Sequence, residues 1–174
     1  MKKIPEVSII LPNYNSFRFI DDTIKSILNQ SFTNWKLIII DDCSNEKTKK
    51  TLEKYLNYKK IKIFWLKKNR GAGYCRNFAI KKSSSKYLAF IDSDDIWKQN
   101  KLKNKINFMK KNNYLFTYTD YETFGKKKKI VYAPRKSSFF DFIHNTSICT
   151  STMIIKRHIA QSVRFTNTKI CEDY

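Results

Sequence analysis

Glycine and proline are scarce in this chain, three of each in 174 residues, and no segment is of low complexity. No period of about 20 to 50 residues repeats, which excludes solenoids and propellers. No apolar run approaches the ~20 residues a bilayer span needs, so a soluble protein is expected. The four cysteines, Cys43, Cys75, Cys149 and Cys171, form no Cys-x-x-Cys pair. A zinc site and a dense disulfide framework are therefore not suggested, and a reducing cytoplasm fits best. Histidine is limited to His144 and His158, isolated from one another. The opening "MKKIPEVSIILPNYN" has a basic start, but its short apolar stretch is closed by Pro12 and lacks a small-residue cleavage site, so it reads as a first strand instead of a signal peptide.

Acidic residues are few as well: 15 Asp+Glu against 35 Lys+Arg give a formal charge of +20. The excess is almost all lysine, scattered as "KKN", "KK" and "KKKK" and not gathered into one arginine-rich stripe. No nucleic-acid motif accompanies it, and no nucleic-acid partner is expected. Attraction to anionic lipid head groups is left open, which would make the protein cytoplasmic with peripheral attachment at the inner face of the membrane.

What is present is order. "VSIIL" (7–11), "WKLIIID" (35–41), "IKIFWL" (61–66) and "KYLAFID" (86–92) are apolar along their length. Each is followed by a stretch of helical spacing: Ile20, Ile24, Ile27 and Leu28; a helix from about Glu46 to Tyr58 packing Leu52, Tyr55 and Leu56; one from about Tyr74 to Lys82 with Phe78 and Ala79 inward; and one carrying Leu102, Ile106 and Met109. Continuous apolar strands alternating with helices predict a doubly wound α/β fold on a mostly parallel sheet. From "YLFTYTDYETFG" to "IVYA" the alternation predicts an antiparallel hairpin added to that sheet. "SSFFDFIHN" reads as a short helix, and "ICTSTMIIKRHIA" as a last strand turning into a helix.

In so basic a chain, the three carboxylates of "AFIDSDDIW" (89–97) at the end of the fourth strand need a reason. Asp95 is placed to cap the following helix. Asp92 and Asp94, two like charges two residues apart, form a natural site for a hard cation, Mg²⁺ or Mn²⁺, with positions left open for phosphate oxygens. That favours a diphosphate ligand at the carboxyl ends of the strands. An aspartyl-phosphate phosphatase also uses Asp-x-Asp, but after its first strand and followed by Thr or Val, where here Ile96 follows. "GAGYCR" is a poor dinucleotide fingerprint, with Arg76 in place of the third glycine.

Taken together, "VSIILPNYN", "LIIIDDCSNEKT", "NRGAGYCRN", "AFIDSDD" and "CEDY" resemble, in order and spacing, the family 2 inverting glycosyltransferases of GT-A fold. The resemblance implies transfer of a sugar, with inversion, from a nucleotide-diphosphate donor, a UDP-sugar being expected, to the hydroxyl of a saccharide or lipid-linked acceptor in bacterial surface polysaccharide or glycan synthesis. It implies that Pro12, Tyr14 and Asn15 lie against the base, with Asp41 and Asp42 on base and ribose. Asn69, Gly71, Arg76 and Asn77 match the family's Asn-x-Gly and Arg-Asn. Asp94 becomes the direct ligand of Mn²⁺ or Mg²⁺, Asp92 stands nearer ribose or metal, and Arg76 meets either an Asp-x-Asp carboxylate or a phosphate. The Glu-Asp pair places the catalytic base at Asp173, beside Glu172. Proteins of this kind continue past that pair, whereas this chain stops at Tyr174. The expectation is a single GT-A domain over 1–174, its nucleotide-sugar-binding portion, lacking an acceptor region; the alternative is a donor-binding fragment with weak or no turnover.

Overall fold

The structure, a computed structural model, describes residues 4–125, 128–135 and 148–166. Four strands run parallel: β1 (Val7–Asn13), β2 (Trp35–Asp41), β3 (Ile61–Trp65) and β4 (Tyr87–Phe90). Between and after them come α1 (Ile20–Leu28), α2 (Glu46–Glu53), α3 (Ala72–Lys82) and α4 (Lys101–Lys111). β5 (Phe116–Thr117) and β8 (Ile154–Lys156) complete the sheet, whose order is β3-β2-β1-β4-β8-β5, with β8 antiparallel to both its neighbours. A 3₁₀ turn (Thr150–Thr152) leads into β8, and α5 (Arg157–Ser162) follows it.

Every residue of β1 is buried, because alternate side chains feed two cores. Val7, Ile9 and Leu11 face one, with Ile24, Ile27, Leu52, Leu102, Ile106 and Met109 from α1, α2 and α4. Ile10, Ile38, Ile40, Leu88 and Phe90 face the other, with Cys75, Ala79, Ile80 and Ala160 from α3 and α5. The doubly wound fold and mostly parallel sheet are as the apolar runs predict.

Several details differ. β6 (Tyr121–Thr123) and β7 (Lys129–Val131) do form an antiparallel hairpin, but as a separate two-stranded ribbon; the antiparallel additions to the central sheet are β8 and β5. α2 stops at Glu53, five residues early, and Leu56 is exposed while Leu52 and Tyr55 are buried. Pro12 does not close the first strand, which continues to Asn13 paired with β2. The Ile10 carbonyl accepts from Ile91 N on the β4 side and the Asn13 carbonyl from Asp42 N on the β2 side, so Pro12, at an even position, turns its missing N–H toward β4, whose strand has already ended at Phe90. The segment expected to be a short helix, "SSFFDFIHN", lies outside the described residues.

Candidate functional site

The carboxyl ends of β1, β2 and β4 lie side by side, and hydrogen bonds tie their loops together. At the end of β1, Asn13 is buried and donates from Nδ2 to Asp41 Oδ1 at 2.7 Å, while Asp41 Oδ2 accepts from Ser44 N at 3.0 Å. Asp41, fully buried, thus makes the Asx-type turn after β2. Asn15 takes a left-handed conformation with φ 51°, accepts at its side-chain oxygen from Asn45 N, and donates its own N–H to Ser44 Oγ. Its side chain fastens the β1 loop to the β2 loop, and the neighbouring Tyr14 is left 52% exposed.

Asp42 has a different task. Buried to 3% exposure, it accepts from Arg70 N at 2.7 Å and Gly71 N at 2.8 Å, and from the Cys75 thiol. Gly71, at φ 85°, provides the left-handed turn that starts α3, where a residue with a Cβ is strained. Burial first, then the Asp42 charge, pushes the Cys75 thiol far above its ordinary range, so it serves as a neutral donor. One residue on, Arg76, 3% exposed, donates from Nη2 to Asp92 Oδ1 at 2.7 Å and lies over the Phe165 ring. Of the two partners expected for Arg76, the structure provides the Asp-x-Asp carboxylate. Adjacent residues of α3 therefore reach Asp42 on one side and Asp92 on the other. Asn69 donates to the Asp42 carbonyl, and Asn77 holds both the N–H and the carbonyl of Phe165.

The loop carrying Asp92, Asp94 and Asp95 is fixed along its length. Ser151 Oγ accepts from Asp92 N, Thr23 donates to the Ser93 carbonyl, Ser26 Oγ accepts from Trp97 N, and Gln30 bridges the Lys98 carbonyl and Leu102 N. Asp94 is exposed and Asp92 half-buried. Asp95 does not cap the next helix. α4 begins at Lys101 with Asn100 before it, and five residues of loop separate Asp95 from the helix. Asp95 instead turns toward Ser151; burial raises its pKa, and Asp92 and Asp94 push it the same way against the Ser151 hydrogen bond.

Among the described residues, no group of three or more His, Cys, Asp and Glu could cage a metal. Asp94 with its neighbour Asp92 is nevertheless an all-oxygen donor set of the kind a hard cation uses when phosphates complete its shell. Asp173 and Glu172 lie outside the described residues.

Residues 8–166 match the family described as Glycosyl transferase family 2. The chain belongs to that family. Over 174 residues it is 34% identical to TuaG of Bacillus subtilis (strain 168), a glycosyltransferase assigned provisionally to teichuronic acid biosynthesis, covering 97% of this chain and 69% of that protein. It is 36% identical over 162 residues to WfgD of Escherichia coli, named as a UDP-Glc:α-D-GlcNAc-diphosphoundecaprenol β-1,3-glucosyltransferase, covering 91% of this chain and 63% of that one. The chain thus spans about two thirds of the length of these two relatives. Crystal structures of Staphylococcus aureus TarS 1–349 superpose with a TM-score of 0.78 (UDP complex) and 0.79 (UDP-GlcNAc complex), at 25% identity, over 97% of this chain. The fold is that of the GT-A glycosyltransferases.

Four residues around this site stand outside the residues that the family 2 motifs single out. Ser151 has no motif to betray it. Gly73 has a purely spatial reason: a Cβ there would stand 2.0 Å from the Thr166 carbonyl oxygen. Lys101 and Lys105 belong to none of the motifs, yet Lys105 is 5% exposed and donates to the Thr117 and Thr152 carbonyls, while Lys101 donates to the Ser151 carbonyl above the Trp97 ring. A signal existed. Lys105 falls within the Leu102, Ile106 and Met109 stripe of α4, the face turned to the core.

Proposed function

We propose that this chain binds a nucleotide-diphosphate sugar, a UDP-sugar by preference, and serves transfer of the sugar with inversion to an acceptor hydroxyl in bacterial surface polysaccharide or glycan synthesis. The observation that carries the reading is the linkage Asp42–Cys75/Arg76–Asp92, which holds the ends of β2 and β4 on either side of the exposed Tyr14 at the end of β1. TarS, solved with UDP and with UDP-GlcNAc, and WfgD, named for a UDP-glucose donor, support uridine as the base. The acceptor in WfgD's name, a sugar diphosphate on a polyprenol, supports a lipid-linked acceptor class.

Tyr14 offers a flat ring for the base. Asp42, its carboxylate already engaged by Arg70 N and Gly71 N, sets the backbone at the start of α3 near the donor. Asp94, with Asp92 beside it, holds Mn²⁺ or Mg²⁺, which when bound supplies Lewis-acid stabilisation of the charge on the departing diphosphate. Arg76 holds Asp92 in one orientation and lowers the repulsion between the two carboxylates. The resemblance assigns the base that takes the acceptor proton to Asp173.

Calorimetric titration with UDP, with and without Mn²⁺, paired with a transfer assay, tests this. UDP binding is expected to require the metal and to be lost in Asp94→Ala; binding indifferent to both overturns the metal-assisted donor site.

A further inference from the structure

Ser151 lies in the 3₁₀ turn ahead of β8, 5% exposed, and meets the Asp-x-Asp loop through both its side chain and its main chain. Its hydroxyl oxygen accepts from Asp92 N at 2.8 Å, and the hydroxyl donates to the Asp95 carboxylate. A hydroxyl has one proton to give and lone pairs to receive, so both bonds are made at once. The Ser151 carbonyl accepts from Trp97 Nε1 at 3.0 Å and from the Lys101 ammonium. A single residue thus holds the chain at Asp92, Asp95, Trp97 and Lys101, and Asp94 stands exposed between the first two.

The turn that presents Ser151 is itself fixed. Thr152 donates from both its N–H and its hydroxyl to the Cys149 carbonyl, Met153 N donates to the Thr150 carbonyl, and the Met153 carbonyl accepts from Phe90 N at the end of β4. Asp92 is therefore gripped from two sides: Arg76 on α3 takes its carboxylate, and Ser151 takes its backbone. The first contact sets where one carboxylate points. The second sets the main chain on which both Asp92 and Asp94 are mounted.

Two carboxylates two residues apart repel, so the backbone between them opens unless something outside the loop holds it. We propose that Ser151 is a positioning residue for the metal-binding carboxylates, holding the backbone from Asp92 to Asp95 so that Asp94 and Asp92 are presented together to the divalent ion. The inference rests on the function proposed above and adds a division of labour: Asp94 binds, and Ser151 presents it. Hydrogen bonds behind a metal's own ligands govern its affinity in this way.

UDP titrations at a series of Mn²⁺ concentrations test the proposal. Ser151→Ala is expected to need roughly tenfold more Mn²⁺ than the parent for half-maximal UDP affinity, while Ser151→Thr, which keeps the hydroxyl, stays near the parent. Ser151→Cys, close to serine in volume and weaker in both hydrogen bonds, is expected to shift in the same direction as alanine and replaces it if the alanine variant does not fold. Ser8→Ala removes another buried hydroxyl, bonded to Ser85 at the opposite end of β1 from the site. It is expected to lower the thermal midpoint without moving the Mn²⁺ requirement. If the parent responds to Mn²⁺, three results overturn the positioning role alone: an unchanged requirement in the folded alanine or cysteine variant, an equal shift in Ser8→Ala, or a folded threonine variant as impaired as alanine. UDP binding by the parent that ignores Mn²⁺ overturns the metal-assisted donor site, and this inference with it.

Discussion

Arg76 on α3 and Asp92 at the end of β4 are joined by a 2.7 Å hydrogen-bonded ion pair in which the arginine side chain is almost wholly enclosed. The guanidinium also lies 5.3 Å from the Phe165 ring centroid, so one planar group orients a carboxylate and packs a distant segment at once.

Removing it leaves Asp92 beside Asp94 without a compensating cation. Arg76→Met is expected to cost ~1–3 kcal/mol in urea unfolding and to weaken metal-supported UDP binding by roughly tenfold, or ~1.4 kcal/mol. Arg76→Lys is expected to restore little of either, because an ammonium lacks the planar fork. Full recovery in the lysine variant would show that charge alone suffices.

Asp42 tests a separate linkage. Its two oxygens accept from consecutive backbone N–H groups of the Arg70–Gly71 turn. Asp42→Ala strands those donors and is expected to cost ~1–3 kcal/mol. Hydrogen exchange is expected to quicken at the start of α3 before it does elsewhere. Unaltered protection there would remove the anchoring role.

Gly73→Ala places a methyl group 2.0 Å from a backbone oxygen. Helix propensity favours alanine by almost 1 kcal/mol, so a net stabilisation is the outcome if the Thr166 segment yields freely. The expected result is the reverse, a loss of ~1–3 kcal/mol, because Asn77 grips Phe165 at both its N–H and its carbonyl. Thermal unfolding of the single variant decides the sign.

Two lysines of α4, Lys105 buried and Lys101 half-buried, set a pH dependence. Burial lowers Lys101 from 10.5 to about 7 and drives Lys105 well below its ordinary value. Between pH 7 and 10 the unfolded chain therefore carries more protons on Lys101 than the folded one, and stability rises with pH over that window; below 7 both states are protonated there and the gain is gone. Lys101→Met is expected to flatten the rise, by an amount on the order of a few kcal/mol. A midpoint series from pH 6.5 to about 9.5 reads it directly.

The parallel strands were legible because burial on both faces leaves a strand with a near-continuous apolar run, as β1 shows over Ile9, Ile10 and Leu11. β8 and the helix after it fall within "ICTSTMIIKRHIA", read as a last strand turning into a helix, whereas β5, with two residues, is too short to carry a period. Nothing in strands so short says which of them joins the sheet, so the hairpin is expected there and β8 and β5 take the place instead. Site residues held by side-chain chemistry could be read, Asp92 with Arg76 among them. Gly73, set by the space the Thr166 carbonyl leaves, follows from where a distant segment arrives, which local sequence does not encode; Lys105 shows its burial by its place in the apolar stripe of α4 but not the Thr117 and Thr152 carbonyls it meets. The Asp95 cap failed for a related reason: Trp97 is buried and donates to the Ser151 carbonyl, drawing the chain into a loop before α4 can begin.

The central sheet ends at β3 on one side and at the two-residue β5 on the other. β3 carries an exposed Lys62 and is preceded by Lys60, whose ammonium is bound to the Thr33 carbonyl, while β5 is too brief to template a partner. Neither border invites edge-to-edge growth. A chain built on so apolar a sheet can in this way be crowded at high concentration without zippering to its copies.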